Sequence, residues 1–246
     1  MSFKAEVAGR FAREALAAGE GAVCAAFRRS FYLHCPGERY ACIGDVSLGH
    51  GPLNVLVTEL SIPAIGERVS IDAGGAQLWT PPPHVPGYPK LEELRKAARD
   101  RVPSEGLGCL VLGVHNALSG HAQPALDALE GWLVGNALGN EAEQLIGLGP
   151  GLTPSGDDYI GGMLVALRLA GRGVQADGLW RWLQPRLKDR TSAISAAHLT
   201  AAAVGEAHAA LHDVLNGDLN LEKLDAVGQC SGWDALAGAV AVLQAY

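Results

Sequence analysis

Through Thr80 the sequence comes in short β-branched or aromatic runs; beyond Pro89 the runs lengthen and take on a helical period. The early runs are Ala22–Phe27, Phe31–His34, Tyr40–Ile43, Leu53–Thr58, Arg68–Asp72 and Ala76–Thr80, parted by turn signals such as Pro36-Gly37 and Ala73-Gly74-Gly75. Segments of this length bounded by Gly and Pro read as strands, and several in succession suit a small antiparallel barrel or sandwich. Met1–Ala18, with Lys4, Glu6, Arg10, Arg13 and Glu14, reads as an amphipathic helix ahead of them. Pro81-Pro82-Pro83, Pro86 and Pro89 mark the boundary. The fold class expected is α+β: a β barrel or sandwich region over 1–88, packed on a mainly α-helical region over 89–246.

In the second region, Pro89–Val102, Gln123–Leu138, Pro154–Ala170, Ala176–Leu187, Thr191–Leu215 and Ser231–Ala245 read as helices. Gly106–Ala117 is apolar and stays open between strand and helix, because periodicity does not settle short runs. With 48% hydrophobic and 18% charged residues in 246, the chain suits a globular protein that buries a sizeable core.

Function is expected at Gly147-Leu-Gly-Pro-Gly-Leu-Thr-Pro-Ser-Gly-Asp-Asp158, which runs into the apolar stretch Met163–Ala170. Glycine lets backbone N–H groups approach an anion, and a helix N-terminus leaves several unpaired. Gly149, Gly151, Thr153, Ser155 and Gly156 are therefore the candidate substrate cradle. No G-K-[ST] follows and no basic residue lies between Glu141 and Leu167, so this is not a Walker A loop. Two acids beside a phosphate need a cation. Either Mg²⁺ bridges through Asp157 or Asp158, or Arg190 arrives from elsewhere as a bidentate clamp. Asp158 has a capping role that accounts for it; Asp157 has none, which makes Asp157 the candidate functional acid. Thr191, Ser192 and Ser195 follow Arg190 at the start of a helix, which Thr191 or Ser192 can cap as the plain alternative.

The frame S-G-x-D-x-[IL]-x-G occurs twice, at Ser155–Gly162 and Ser231–Gly238. Each copy opens a helix with the Ser-x-x-Asp spacing of a capping box, with Thr153 as cap and Pro154 at N1 an alternative start for the first. Gly162 and Gly238 fall on the second turns, where the two helices can cross and bring both polar starts together. Ser231, Gly232 and Asp234 thereby join the candidate site.

His208 and His212 are four apart but lack the H-E-x-x-H pattern, so a surface pair is expected, with His198 a core histidine and no metal site. A formal charge of −7 and no Lys/Arg run exclude a nucleic-acid surface. No apolar run reaches membrane-span length. Five cysteines without C-x-x-C spacing or a preceding secretory signal point to a reduced cytoplasmic setting.

The Gly147–Asp158 run resembles the signature of the AllH-like family, the oxamate carbamoyltransferase subunit once classed as a domain of unknown function. Arg190-Thr-Ser-Ala-Ile-Ser195, Gly228-Gln-Cys-Ser-Gly-Trp-Asp234 and the Gly51-Pro52 strand entry are similar as well. The resemblance implies carbamoyl transfer among oxamate, oxalurate and carbamoyl phosphate in purine and allantoin degradation, with other subunits as partners. The candidate catalytic residues, Asp157, Asp158 and Arg190, come from the reading of the residues themselves. The alternatives are a stand-alone Mg²⁺-dependent phosphate-handling enzyme and a non-catalytic assembly subunit.

Overall fold

The computed structural model describes residues 2–84 and 87–246, in two units divided between Pro82 and Pro83. Met1 and Pro86, which figured in the sequence reading, lie outside the described residues.

In the first unit the strands are β1 (Ser2–Gly9), β2 (Gly21–Ala26), β3 (Ser30–Cys35), β4 (Arg39–Gly44), β5 (Asn54–Val57), β6 (Arg68–Asp72) and β7 (Gln77–Trp79). Their order is β5-β4-β3-β2-β6-β1-β7, and β1 also pairs with β5. Six strands therefore close a barrel, with β7 attached beside β1; the antiparallel pairing expected is corrected to a mixed one, since β1 runs parallel to β6 and β7, and β4 to β5. The opening stretch corrects the helix expected from Met1: only α1 (Arg10–Ala17) is helical. Phe3 and Ala5 are buried while Ser2, Lys4 and Glu6 are exposed, the period of two that a strand needs. A register shift between Ala5 and Val7 lets β1 serve β5 on one side and β6 and then β7 on the other. Phe31, Leu33, Ile43 and Val55 fill the interior and are wholly buried. Gly9 permits the close approach of the Gly51-Pro52 turn, since a Cβ there would strike both carbonyls. The Ala12 N–H donates to the Pro52 carbonyl at 2.9 Å.

The second unit is helical: α2 (Leu91–Ala98), α3 (Ala117–Leu133), α4 (Ser155–Leu169), α5 (Gly173–Leu183), α6 (Leu187–Arg190), α7 (Ala193–Ala203), α8 (Ala209–Leu215), α9 (Glu222–Asp225) and α10 (Ser231–Gln244). Gly108–Leu112, apolar and undecided in sequence, is a 3-10 turn. α3 begins six residues before the expected Gln123, because Asn116 and Ser119 form a reciprocal capping box; Pro124 sits inside the helix. The expected helix Thr191–Leu215 is split. Gly205, with φ at 87°, closes α7 through N–H bonds from Gly205 to Ala202 and from Glu206 to Ala201. The core centres on α4 and α10, where Tyr159, Ile160, Met163, Trp233, Leu236 and Val242 are at most 1% exposed. Among the described residues, no helix is long and apolar enough to cross a membrane.

Candidate functional site

α4 and α10 cross at their glycines. A Cβ on Gly162 would collide with the Ala235 carbonyl oxygen, and one on Gly238 with the Tyr159 carbonyl oxygen. Each glycine thus accepts the other helix's backbone, the close approach expected from the repeated frame. The two helix starts meet as well, with Thr153 Oγ1 3.0 Å from Ser231 Oγ.

The two starts are built alike. Gly156 donates its N–H to the Leu148 carbonyl at 2.9 Å, and Gly232 donates to the Val227 carbonyl at 3.1 Å. A side chain on Gly156 would strike the Leu145 carbonyl; one on Gly232 would strike that of Leu224. Gly149 lies against Ser155, and Gly228 against Ser231. Neither serine caps its helix, so the capping box is corrected. Pro154 and Cys230 occupy the cap positions, neither start has a side-chain cap bond, and each serine is the first helical residue. The hydroxyls instead act across the helix pair, Ser155 on Asp234 and Ser231 on Asp158.

Asp157 turns out to have a structural role that the sequence did not disclose. Its Oδ1 accepts the Gly147 N–H at 2.8 Å; its Oδ2 accepts the Ser195 hydroxyl at 2.6 Å and the Thr191 hydroxyl. At 1% exposure it ties the glycine loop to the start of α7. Burial raises its pKa, and the Ser195, Thr191 and Gly147 donors work against that rise. On the loop's outer part, Ser192 donates to the Leu152 carbonyl at 2.5 Å.

Asp158 differs. The residue is partly exposed, yet its Oδ2 is buried and has no hydrogen-bond partner. Burial pushes its pKa well above the carboxylate range; the Ser231 hydroxyl opposes this, while the charges of Asp234 and Asp157 add to it. Asp234, its counterpart in the second copy, is 1% exposed, and its Oδ1 accepts the N–H groups of Leu107 at 2.6 Å and Gly108 at 2.9 Å. Burial nevertheless raises Asp234 to about 6, against the Ser155, Leu107 and Gly108 donors. Cys230, beside these acids, has its thiol pushed up to about 11, first by burial and then by the charges of Asp234, Glu105 and Asp158, so it is no thiolate nucleophile at neutral pH.

The first-turn amides of α4 are largely taken: Gly156 donates to Leu148, and Asp157 and Asp158 to Pro154 at 2.9 and 3.1 Å. Among the described residues, the N–H groups of Gly149, Gly151, Leu152 and Thr153 in the loop, and of Ser155 at the helix start, meet no hydrogen-bond acceptor. Gly149 and Gly151 have φ values of 112° and 94°, which side-chain-bearing residues rarely adopt. Arg190 reaches the loop with its carbonyl, which abuts Gly147, while its guanidinium pairs with Glu143 Oε2 at 2.5 Å. Glu143 also accepts from Arg186 Nε at 2.9 Å and is held below its usual pKa by both arginines, Arg186 first.

Asp157 thus gathers Gly147, Thr191 and Ser195 on one side of the helix start; Asp158, Thr153, Ser231 and Asp234 share the other. The residues that sequence reasoning missed are Leu107 and Gly108, which carry only backbone donors, and Glu143. Ser192, one of the two expected caps, does cap α7, its hydroxyl accepting the Ser195 N–H at 2.9 Å.

The expected surface pair His208–His212 is corrected. His212 is 1% exposed, its Nε2 accepting the Ala207 N–H at 3.1 Å, and the His208 ring stacks on His198 at 5.7 Å. Burial lowers all three imidazoles, His198 to about 3 and His208 and His212 to about 4. Among the described residues no group of three or more His, Cys, Asp or Glu is arranged to hold a metal. Of the two acids expected to bridge to Mg²⁺, Asp157 spends both oxygens on protein donors, while Asp158 keeps its Oδ2 unengaged.

Over residues 145–243 the chain matches the family model described as oxamate carbamoyltransferase subunit AllH. The resemblance carried by the glycine loop holds over that span, which takes in both helix starts. No curated protein and no solved structure gives a match.

Proposed function

We propose that this chain is a subunit of a carbamoyltransferase, acting with other subunits in a hetero-oligomer on oxamate or oxalurate and carbamoyl phosphate. The observation that carries this reading is the match over 145–243, which begins two residues before the glycine loop and runs through the second S-G-x-D frame. The loop chemistry agrees with it. The unpaired amides at Gly149, Gly151, Leu152 and Thr153 suit the carboxylate or phosphate end of a small anionic substrate, and polarise a carbonyl as an oxyanion site does. Arg190 completes the anion clamp by exchanging Glu143 for substrate. Asp157 keeps the loop in shape, and Asp158 is the acid turned toward the ligand. Thr153, Ser155, Gly156, Thr191, Ser195, Ser231, Gly232 and Asp234 form the surrounding wall. The five cysteines are all unpaired, which suits a cytoplasmic enzyme of purine and allantoin degradation.

The test is carbamoyl transfer assayed on the purified chain, alone and with the proteins encoded beside it. Transfer is expected in the mixture, and Arg190→Ala is expected to lower it at least 10-fold, on the scale of one lost charge-assisted contact. A mixture that assembles but transfers no carbamoyl group would refute the reading.

A further inference from the structure

The duplicated frame supplies its own reference for what an acid at this position binds. Ser155 and Ser231, Gly156 and Gly232, Gly162 and Gly238 make equivalent contacts, so Asp158 and Asp234 occupy equivalent places. Asp234 is met by two adjacent N–H donors, from Leu107 and Gly108. No backbone segment performs that service for Asp158, whose Oδ2 is buried and unpartnered. Buried polar atoms in folded proteins nearly always have partners, and an exception calls for a physical account. Helix packing gives none, since the crossing is made by the glycines. Capping gives none either, since α4 has no side-chain cap bond.

We propose that Asp158 is the specificity-determining residue of the site and recognises the –NH₂ of a primary amide or carbamoyl ligand. The ligand's N–H group then takes the place at Asp158 that Leu107 and Gly108 hold at Asp234. This rests on the carbamoyl reading above and deepens it. The loop amides Gly149–Thr153 take the ligand's anionic end, while Asp158 reads its nitrogen. Thr153, at the end of the loop, lies 3.0 Å from the hydroxyl of Ser231, which in turn bonds Asp158.

Oxamate and oxalate separate these contributions. They share a carboxylate and a carbonyl, and differ in carrying NH₂ or a second carboxylate oxygen. As a carboxylate, Asp158 accepts a hydrogen bond from NH₂; facing oxalate, it meets another acceptor unless it first takes up a proton, so the titrations are run above its pKa. A site built around a ligand N–H rejects the analogue lacking it by several orders of magnitude at best. A preference for oxamate of at least about 100-fold is therefore expected here.

The experiment is calorimetric titration of the full chain, assembled with its partner subunits, with oxamate and with oxalate. It is done on wild type, Asp158→Asn and Asp158→Ala. Asn can turn its own NH₂ toward oxalate, and Ala removes the acceptor, so both variants are expected to reduce the preference to within about threefold. Each is checked for a wild-type melting temperature, and either one that folds suffices. Equal wild-type affinities, or an undiminished preference in a folded variant, would overturn the assignment. Where that occurs while carbamoyl transfer persists, only the role of Asp158 falls. Where wild type binds neither compound and transfers no carbamoyl group, the carbamoyl reading falls and takes this inference with it.

Discussion

The two S-G-x-D helix starts share a frame and part company at their acids. In both, a glycine donates to a carbonyl upstream, a serine reaches toward the partner helix, and a second-turn glycine admits the other backbone. Asp234 is then closed off by two backbone donors, whereas Asp158 keeps a buried oxygen with none. The difference teaches that duplication supplied one scaffold used in two ways. The second copy is consumed in holding the fold, and the first retains an unsatisfied group beside a glycine loop with unpaired amides.

The shared frame is broken most severely at its crossing. Gly162→Ala and Gly238→Ala each drive a methyl into a carbonyl of the opposite helix, and overpacking of this kind costs about 3 kcal/mol. Comparable losses in both variants, measured by urea unfolding, would uphold the two-fold arrangement. A near-neutral result at either glycine would contradict it.

Removing the satisfied acids comes next. Asp234→Ala leaves the Leu107 and Gly108 N–H groups buried without an acceptor, and Asp157→Ala strands Gly147, Thr191 and Ser195. Each is expected to cost about 2–3 kcal/mol in the same unfolding measurement. Asp157→Ala should also raise protease sensitivity within the Gly147–Thr153 loop, because it cuts the tie to α7.

Acidity separates the buried groups by sign. His198, His208 and His212 are lowered to about 3, 4 and 4 from 6.5, so the unfolded chain binds protons first as pH falls. Their contribution is complete above pH 6.5 and declines toward pH 4, at about 1.4 kcal/mol per pH unit for each fully responding histidine. Asp157, Asp158 and Asp234 act oppositely, because their folded values are raised. What they add is complete below pH 3.8 and is lost as pH rises, for Asp234 through about 6. Urea midpoints from pH 4 to 8 should show His212→Gln flattening the acid limb and Asp234→Asn removing the change near pH 6. Unchanged profiles would contradict these assignments.

Asp158→Asn is expected to have the smallest effect on stability, under about 0.5 kcal/mol or slightly stabilising, since it relieves a buried acid without removing a bond. A loss as large as that of Asp234→Ala would erase the contrast between the copies.

Most of the barrel was legible because its strands alternate and end at glycine or proline; Arg68–Asp72 was expected over the residues where β6 forms. β1 was not, because Lys4, Glu6 and Arg10 fit a helical face as well as the outer side of a strand. The crossing of α4 and α10 could be read from Gly162 and Gly238, where a missing Cβ is itself the signal. The roles of Asp157 and Asp158 could not. Adjacent acids look alike in a sequence, and what separates them is supplied by Thr191, Ser195 and Gly147 on one side only. Leu107 and Gly108 act through backbone N–H groups, which leave no side-chain mark. The buried state of His212 and the stacking of His208 on His198 escaped notice because the chain breaks at Gly205 between α7 and α8.

Side-chain carboxyl resonances of ¹³C-labelled aspartate, followed as oxamate is added, test the contrast between the two acids most directly. The Asp158 signal should move with saturation while that of Asp234 stays in place, its donors already supplied by the protein. Movement at Asp234 instead, or no movement at Asp158 once oxamate is bound, would contradict the account.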